Sequence, residues 1–221
     1  MKGSTMKISY RALARLLGYP DATVRECLPE IRAALAGEER LGTARRVALY
    51  ALIDELDVDD LLGVEARYVH TFDRGRAASL HLFEHVHGDS RERGQAMVDL
   101  QSTYAQAGLQ LCANELPDFL PLALEFASSQ PGPTADAFVA EFEHILNKIH
   151  TVLAERRSPY AHVLAAALEI AGEALETTAT ESEEPLDAAW EEPPAFDGCP
   201  PVGRPRSGVQ PIHFHPQGAS K

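Results

Sequence analysis

Apolar residues recur every three or four positions through most of residues 1–175, which is the spacing of one face of an α-helix. The first such stripe contains Tyr10, Leu13, Leu16 and Leu17 and stops at the Gly-Tyr-Pro sequence that follows. Comparable stripes cover residues 24–35, 47–56, 61–72, 97–104, 138–153 and 163–175. No segment shows convincing strand alternation. The pattern therefore predicts an all-α fold, a compact multi-helix bundle of roughly seven to ten helices.

Local sequence also predicts where several helices begin and end. Pro29 lies inside the second stripe and should kink or split that helix, because proline lacks an amide donor. Asp59 or Asp60 can cap the fourth helix through its carboxylate. The apolar spacing over residues 138–153 predicts one continuous helix, and the last helix is expected to extend to Leu175.

Composition changes near residue 176. Residues 177–221 hold 8 of the 15 prolines, and no Lys or Arg occurs between Arg157 and Arg204. Such a segment buries too little apolar surface to offset its chain entropy. We therefore predict a helical domain over residues 1–176 and an acidic, disordered tail over residues 177–221. Trp190 stands among acidic residues in this tail, where it could serve as a short docking motif or simply be solvated.

The charge of the chain narrows the classes of partner. Acidic residues outnumber basic residues 33 to 20, which gives a formal net charge of −13. A nucleic-acid-binding protein needs clustered Lys and Arg, and an acidic membrane surface would repel this chain, whereas a basic or apolar peptide suits it. No apolar stretch approaches the roughly 20 residues of a membrane span, and no signal peptide is recognisable. The three dispersed cysteines favour a reducing compartment, so we predict a cytoplasmic protein.

One short motif suggests metal chemistry. The string His81-Leu-Phe-Glu84-His85 matches the H-x-x-E-H pattern of inverted zinc peptidases. On a helix the two histidines would lie one turn apart and could face a zinc ion, with Glu84 as the general base. The pattern fixes only three residues, and no third ligand stands out downstream. A metal-dependent hydrolase is the alternative hypothesis, and buried or hydrogen-bonded histidines are the simpler interpretation. We predict no bound metal or cofactor.

The turn Asp73-Arg74-Gly75-Arg76 is a second short motif that could bind a ligand. Its two guanidinium groups beside a glycine could hold an anionic group. A solvated surface loop is the simpler interpretation of the same residues.

Longer motifs resemble those of a known family. The chain reads Tyr-x-x-x-Phe-Asp at residues 68–73, Leu-Phe-Glu-His-Val-His-Gly at 82–88 and Arg-Gly-x-Ala-Met-Val at 93–98. Residues 115–118 read Glu-Leu-Pro-Asp, and Phe119 follows where the family usually has histidine. These blocks resemble the assembly chaperones of respiratory nitrate reductase, the NarJ group, which is related to the TorD-type chaperones.

The resemblance implies an all-helical chaperone and not an enzyme. The client would be the apo catalytic (alpha) subunit of nitrate reductase, bound through its N-terminal peptide while the molybdenum cofactor is inserted and before membrane docking. The molybdenum cofactor delivery machinery is a further implied partner, and Arg74 and Arg76 could contact the guanine nucleotide of the cofactor. The predicted peptide-binding residues are Tyr68, Phe72, Leu82, Phe83, His85, His87, Glu115, Leu116, Pro117, Asp118 and Phe119. A purely structural role in the core stays open for Tyr68, Phe72 and Phe83.

Overall fold

The computed structural model describes residues 7–58, 60–87, 91–111 and 115–176. Within these ranges the chain forms ten α-helices, and short 3₁₀ turns cover Arg76–Ala78 and Leu82–Glu84. The helices are α1 Ile8–Leu17, α2 Ala22–Glu26, α3 Leu28–Ala36, α4 Thr43–Leu56, α5 Leu61–Phe72, α6 Arg91–Gln106, α7 Leu120–Ser129, α8 Gly132–Ala140, α9 Glu143–Glu155 and α10 Ala161–Ala171. β pairing in the described residues is limited to one isolated bridge between His81 and Phe119. The all-α prediction is confirmed.

Two predicted helix boundaries are confirmed. The second apolar stripe is divided into α2 and α3, and Pro29 occupies the first turn of α3, where its missing amide leaves no intrahelical bond unmade. Asp60 caps α5 by accepting a hydrogen bond of 2.9 Å from the amide of Gly63. The alternative cap Asp59 lies outside the described residues, as does the predicted tail over 177–221 with Trp190.

Two other boundary predictions are wrong. Residues 138–153 form α8 and α9, because the chain turns at Glu141 and Phe142 before α9 begins. Apolar spacing continues across this break, since Phe138 before it and Ile145 after it both face the core. The final helix ends at Ala171, since Gly172 adopts a left-handed conformation with φ of 89°. Leu175 therefore lies beyond the helix and is 46% exposed.

Helix α10 lies at the centre of the fold. It contacts α1, α4, α8 and α9, and its residues from Val163 to Leu168 are all buried. Helix α1 packs against α3 and α7 on its other sides. A helix that is apolar around most of its circumference is stable only when it is covered on most sides. The Ala-rich sequence of α10 lets these neighbours approach closely.

A polar cluster fixes α1 against α8. The Tyr10 hydroxyl donates a hydrogen bond of 2.8 Å to Asp136, and Arg40 contacts the other carboxylate oxygen at 2.8 Å. Lys7 lies 3.5 Å from the same carboxylate. Burial and the Asp136 hydrogen bond both raise the pKa of Tyr10, so the phenol stays a neutral donor. The buried Asp136 charge is thus compensated by two cations and one hydroxyl group.

None of the described helices combines the length and the apolar character needed to cross a bilayer.

Candidate functional site

The two motif segments around residues 82 and 118 lie side by side. The amide of Leu82 donates to the carbonyl of Asp118 at 2.9 Å, and the amide of Leu120 donates to the carbonyl of Leu80 at 2.8 Å. The isolated bridge between His81 and Phe119 completes this pairing. The fold therefore joins two motifs that are more than 30 residues apart in sequence into one structural unit at the start of α7.

The carboxylate of Asp118 holds this unit together. Its side chain is fully buried, and it accepts a hydrogen bond of 3.2 Å from the amide of Phe83. His81 Nδ1 lies 3.3 Å from one carboxylate oxygen, and an Arg93 guanidinium nitrogen lies 3.6 Å from the other. A buried carboxylate is tolerable only with such compensation. Asp118 therefore orients the 3₁₀ turn of the Leu-Phe-Glu-His motif toward α6.

The geometry required for a zinc site is not present at the H-x-x-E-H string. His81 precedes a single 3₁₀ turn, so His81 and His85 do not lie on one α-helical face as the hydrolase alternative requires. His85 Nε2 donates to the carbonyl of Ser79 at 2.8 Å, and Glu84 accepts a hydrogen bond of 2.6 Å from the Ser79 hydroxyl. Among the described residues, no group of three or more His, Cys, Asp or Glu side chains is placed to hold a metal ion. These side chains instead stabilise the turn.

The predicted aromatic residues of α5 belong to a buried aromatic cluster. Tyr68 and Phe72 pack at a ring separation of 4.8 Å, and both contact Tyr160. The half-exposed ring of Tyr19 meets Tyr68 edge to face at 5.6 Å. The Tyr68 hydroxyl donates a hydrogen bond of 2.7 Å to the carbonyl of Leu17. Tyr68 and Phe72 are 6% and 5% exposed, so a peptide on this surface would contact the half-exposed Tyr19 ring and not the two buried rings.

The eleven predicted contact residues therefore differ in accessibility. Five are buried, namely Tyr68, Phe72, Leu82, Pro117 and Asp118. The accessible or half-buried members are Phe83, His85, His87, Glu115, Leu116 and Phe119. Among these, Leu116 is a large apolar side chain that is 47% exposed. The accessible group, and not the buried one, can contact a partner directly.

An acidic groove of about 300 Å³ lies beside Phe119, between the end of α1, the start of α2 and α7. Its apolar lining is formed by Tyr19, Val24, Phe119, Pro121 and Leu122. Its carboxylates are Asp21, Glu115 and Glu125. Sequence reasoning identified Glu115 and Phe119 and missed the others. Tyr19 is an aromatic residue at the point where the first apolar stripe ends, and this position could have marked it as a candidate. The local sequence does not indicate that α1 packs beside α7.

A second groove of about 240 Å³ adjoins the acidic groove along α1. The two grooves share Arg15 and Thr23 in their linings, so they lie next to each other on the surface. The second groove carries Arg11 and Glu30 in addition to Arg15, and Ile8 in its lining is 62% exposed. The acidic groove has three carboxylates and one guanidinium group in its lining, and the second groove has one carboxylate and two guanidinium groups, so the net charge becomes more positive from the first to the second.

Protonation of His81 makes the stability of the unit around Asp118 depend on pH. The hydrogen bond to Asp118 raises the pKa of His81, and partial burial opposes that rise. A raised pKa in the folded state stabilises the fold below the unfolded pKa of about 6.5, and this stabilisation is lost as pH rises through the folded pKa. The His81 ring also packs on the Phe119 ring, with 5.3 Å between the ring centroids.

Replacing His81 with glutamine is expected to cost more stability at pH 5.5 than at pH 8, because only the protonated imidazole forms a charged pair with Asp118. Urea unfolding of both proteins at the two pH values measures this difference. The comparison must be made between variant and parent, because the pKa values of His150 and His162 are lowered and act in the opposite direction. An equal loss at both pH values would contradict the assignment.

The structure is that of an all-α protein. Residues of its motif segments contribute to a surface groove and form the 3₁₀ turn beside it. A family model described as "Nitrate reductase delta subunit" matches residues 21–166. The chain belongs to the nitrate reductase delta subunit family.

Curated relatives cover most of the chain. It is 40% identical over 190 residues to the nitrate reductase molybdenum cofactor assembly chaperone NarJ of Escherichia coli strain K12, which spans 81% of this chain and 80% of that protein. It is 39% identical over 194 residues to the probable chaperone NarW of the same organism, across 82% of this chain and 80% of that protein. A probable NarJ of Bacillus subtilis strain 168 is 33% identical over 178 residues, which span 78% of this chain and 94% of that protein. The names of these relatives describe assembly and not catalysis.

Proposed function

We propose that this protein is an assembly chaperone that binds the N-terminal peptide of the apo catalytic subunit of nitrate reductase. It acts in the cytoplasm, assists insertion of the molybdenum cofactor and releases its client before membrane docking, in contact with the cofactor delivery machinery. Membership of the nitrate reductase delta subunit family supports nitrate reductase as the client. The acidic groove supports the binding mode, because it combines an apolar lining with three carboxylates beside the Glu-Leu-Pro-Asp motif.

The groove suits an amphipathic helix that carries Lys or Arg. Apolar side chains of the peptide would cover Phe119 and Leu122, and its cations would meet Glu115 and Glu125. The net charge of −13 attracts such a segment from a distance. Ordering a flexible peptide costs about 2–5 kcal/mol, so the expected affinity is roughly micromolar, which allows release.

The charge gradient along α1 gives the bound peptide a direction. A helix carries about half a positive charge at its N-terminus and half a negative charge at its C-terminus. Asp21 and Glu115 would therefore receive the N-terminal turn of the client helix, and Arg11 would lie near its C-terminal turn. Arg15 would lie between the two ends of the bound peptide, and its guanidinium group is 3.9 Å from a carboxylate oxygen of Glu125.

Calorimetry with a synthetic peptide that copies the first ~20 residues of the catalytic subunit tests the proposal. Replacing Phe119 with alanine should weaken binding by about 30-fold, the loss typical of a central aromatic anchor. Replacing Glu115 and Glu125 together with glutamine should weaken binding by about fivefold to tenfold at low salt, and less at 0.5 M salt, because exposed charges are screened.

Matched controls separate groove contacts from general effects. Leu62 is 77% exposed on α5 and lines neither groove, so Leu62→Ala should leave peptide binding unchanged. Glu141→Gln removes an exposed carboxylate outside the grooves and should also have no effect. Each variant needs a thermal melt that matches the parent. Equal affinity of the parent and a folded Phe119→Ala variant would exclude this groove, and absence of binding by the parent would exclude the client peptide.

A further inference from the structure

Helix α6 is attached to the rest of the protein in two different ways. Its second half is held by buried side chains, since Leu100 and Tyr104 are 7% and 0% exposed and the Tyr104 ring packs on Phe126 at 4.6 Å. The Tyr104 hydroxyl group also donates a hydrogen bond of 2.9 Å to the carbonyl of Pro117. Its first half, residues 91–99, contains no buried residue. Apolar burial therefore contributes less to this half, and its polar contacts matter more.

Arg93 links this first half of α6 to the motif segments. One of its guanidinium nitrogens, Nη2, lies 3.4 Å from a carboxylate oxygen of Glu84 and 3.6 Å from a carboxylate oxygen of Asp118. The Arg93 side chain is 22% exposed and the Asp118 side chain is fully buried, so solvent screens this contact less than it screens a surface ion pair. A further ion pair joins His87 to Glu92 at 3.8 Å, but the Glu92 side chain is 84% exposed. Arg93 therefore provides the stronger ionic link.

The contact between Arg93 and Asp118 bears on the wall of the acidic groove. Phe119 lines that groove and follows Asp118 directly in sequence. The Asp118 carboxylate accepts the amide of Phe83, and the Asp118 carbonyl accepts the amide of Leu82, so Asp118 holds the 3₁₀ turn through both its side chain and its backbone. A buried carboxylate that loses a compensating cation becomes less stable. Loss of Arg93 would therefore loosen the pairing that places Phe119 in the groove wall.

We propose that Arg93 is a positioning residue of the client site, which it holds in its binding conformation through Asp118 without touching the client. This role rests on the proposed function, because it requires that the client peptide binds in the acidic groove. Arg93 lines neither groove, so its effect on the peptide passes through the residues that it contacts. One nitrogen between two carboxylates suits this role, since it compensates both charges at once. The motif segments 82–88, 93–98 and 115–118 therefore act as one unit in binding.

Calorimetry of the full-length protein with the client peptide tests this role. Arg93→Gln should weaken binding by about threefold to tenfold, because Asp118 loses a cation and the segment that carries Phe119 is held less firmly. Arg93→Lys should retain most of the affinity, since both contacts are made by a single nitrogen that an ammonium group can replace. Arg91→Gln, on an exposed arginine of the same helix, is the matched control and should have no effect. Each variant is titrated well below its own melting temperature, which circular dichroism measures.

The titration of His81 separates positioning from a general loss of stability. The hydrogen bond to Asp118 raises the pKa of His81, whereas burial and the nearby Arg93 cation lower it. Removing the cation in Arg93→Gln should therefore raise the pKa of His81 further, and Arg93→Lys should keep it near the parental value. NMR of the imidazole protons measures these pKa values without any client. A general loosening of α6 would leave the charge beside His81 unchanged.

A double variant keeps the test decisive if Arg93→Gln does not fold. Arg93→Gln/Asp118→Asn leaves no uncompensated buried carboxylate, and it should bind the peptide no more weakly than Asp118→Asn alone. Additive losses in the double variant, a parental pKa of His81 in Arg93→Gln, or parental affinity of folded Arg93→Gln would each overturn the role of Arg93 and leave the proposed function intact. Absence of peptide binding by the parent would overturn both.

Discussion

Replacing Asp118 with alanine is expected to lower the free energy of unfolding by about 3 kcal/mol, near the lower end of the range for breaking a buried ion pair. The carboxylate is fully buried and accepts a hydrogen bond from the amide of Phe83. It also compensates Arg93 and His81, which are only partly buried, and this partial exposure places the expected loss at the lower end. Urea unfolding followed by circular dichroism measures the change.

Two comparisons make the Asp118 experiment specific. Asp118→Asn keeps one oxygen acceptor and should cost about half as much, because the backbone contact can survive. Asp57→Ala removes an exposed aspartate at the end of α4 and should change stability by about 0.5 kcal/mol or less. Folded Asp118→Asn protein should also bind the client peptide more weakly, because the pairing that positions Phe119 is loosened. A loss below about 1 kcal/mol for Asp118→Ala would show that the carboxylate does not hold the two motifs together.

Replacing Tyr68 with alanine is expected to cost about 3–5 kcal/mol of stability. The ring is 6% exposed and packs against Tyr19, Phe72 and Tyr160, so its removal leaves a cavity between α5 and the start of α10. Thermal and urea unfolding measure the loss. Any accompanying loss of peptide binding by Tyr68→Ala would then follow from disruption of the aromatic cluster beneath Tyr19.

Tyr68→Phe separates the packing of the ring from its hydrogen bond. This variant keeps the aromatic contacts and removes the hydroxyl group that donates to the carbonyl of Leu17, so a loss of about 1 kcal/mol is expected. Peptide affinity should match that of the parent. A Tyr68→Ala variant with parental stability and strongly reduced affinity would reverse the interpretation and place Tyr68 in direct contact with the client.

The sequence by itself determined the helical architecture, because the information is local. Apolar spacing located α1, and the effect of Pro29 on α2 and α3 follows from the chemistry of one residue. The cap of α5 by Asp60 is equally local, since its carboxylate reaches an amide three residues away. The motif blocks likewise identified the family without any coordinates.

The burial of individual residues within the motifs could not be predicted from the sequence. Phe83 and Phe119 are half-buried and Tyr68 is buried, although all three appear as aromatic residues in motif blocks. The break between α8 and α9 was also invisible, because Phe138 and Ile145 keep the apolar spacing while the chain changes direction. Apolar spacing reports that a face is covered, and it does not report which element covers it.

Only the tertiary structure decided which distant residues form a site. Asp118 contacts His81, which lies 37 positions earlier in the sequence, and His85 is bonded to the carbonyl of Ser79. The segment that matches a zinc motif is therefore a hydrogen-bonded turn. The acidic groove joins Tyr19 and Asp21 to Glu115 and Glu125 because α1 packs on α7. The physical reason is that helix propensity and capping act over three or four residues. The pairing of helix faces is set by the burial of whole surfaces, which no local pattern specifies.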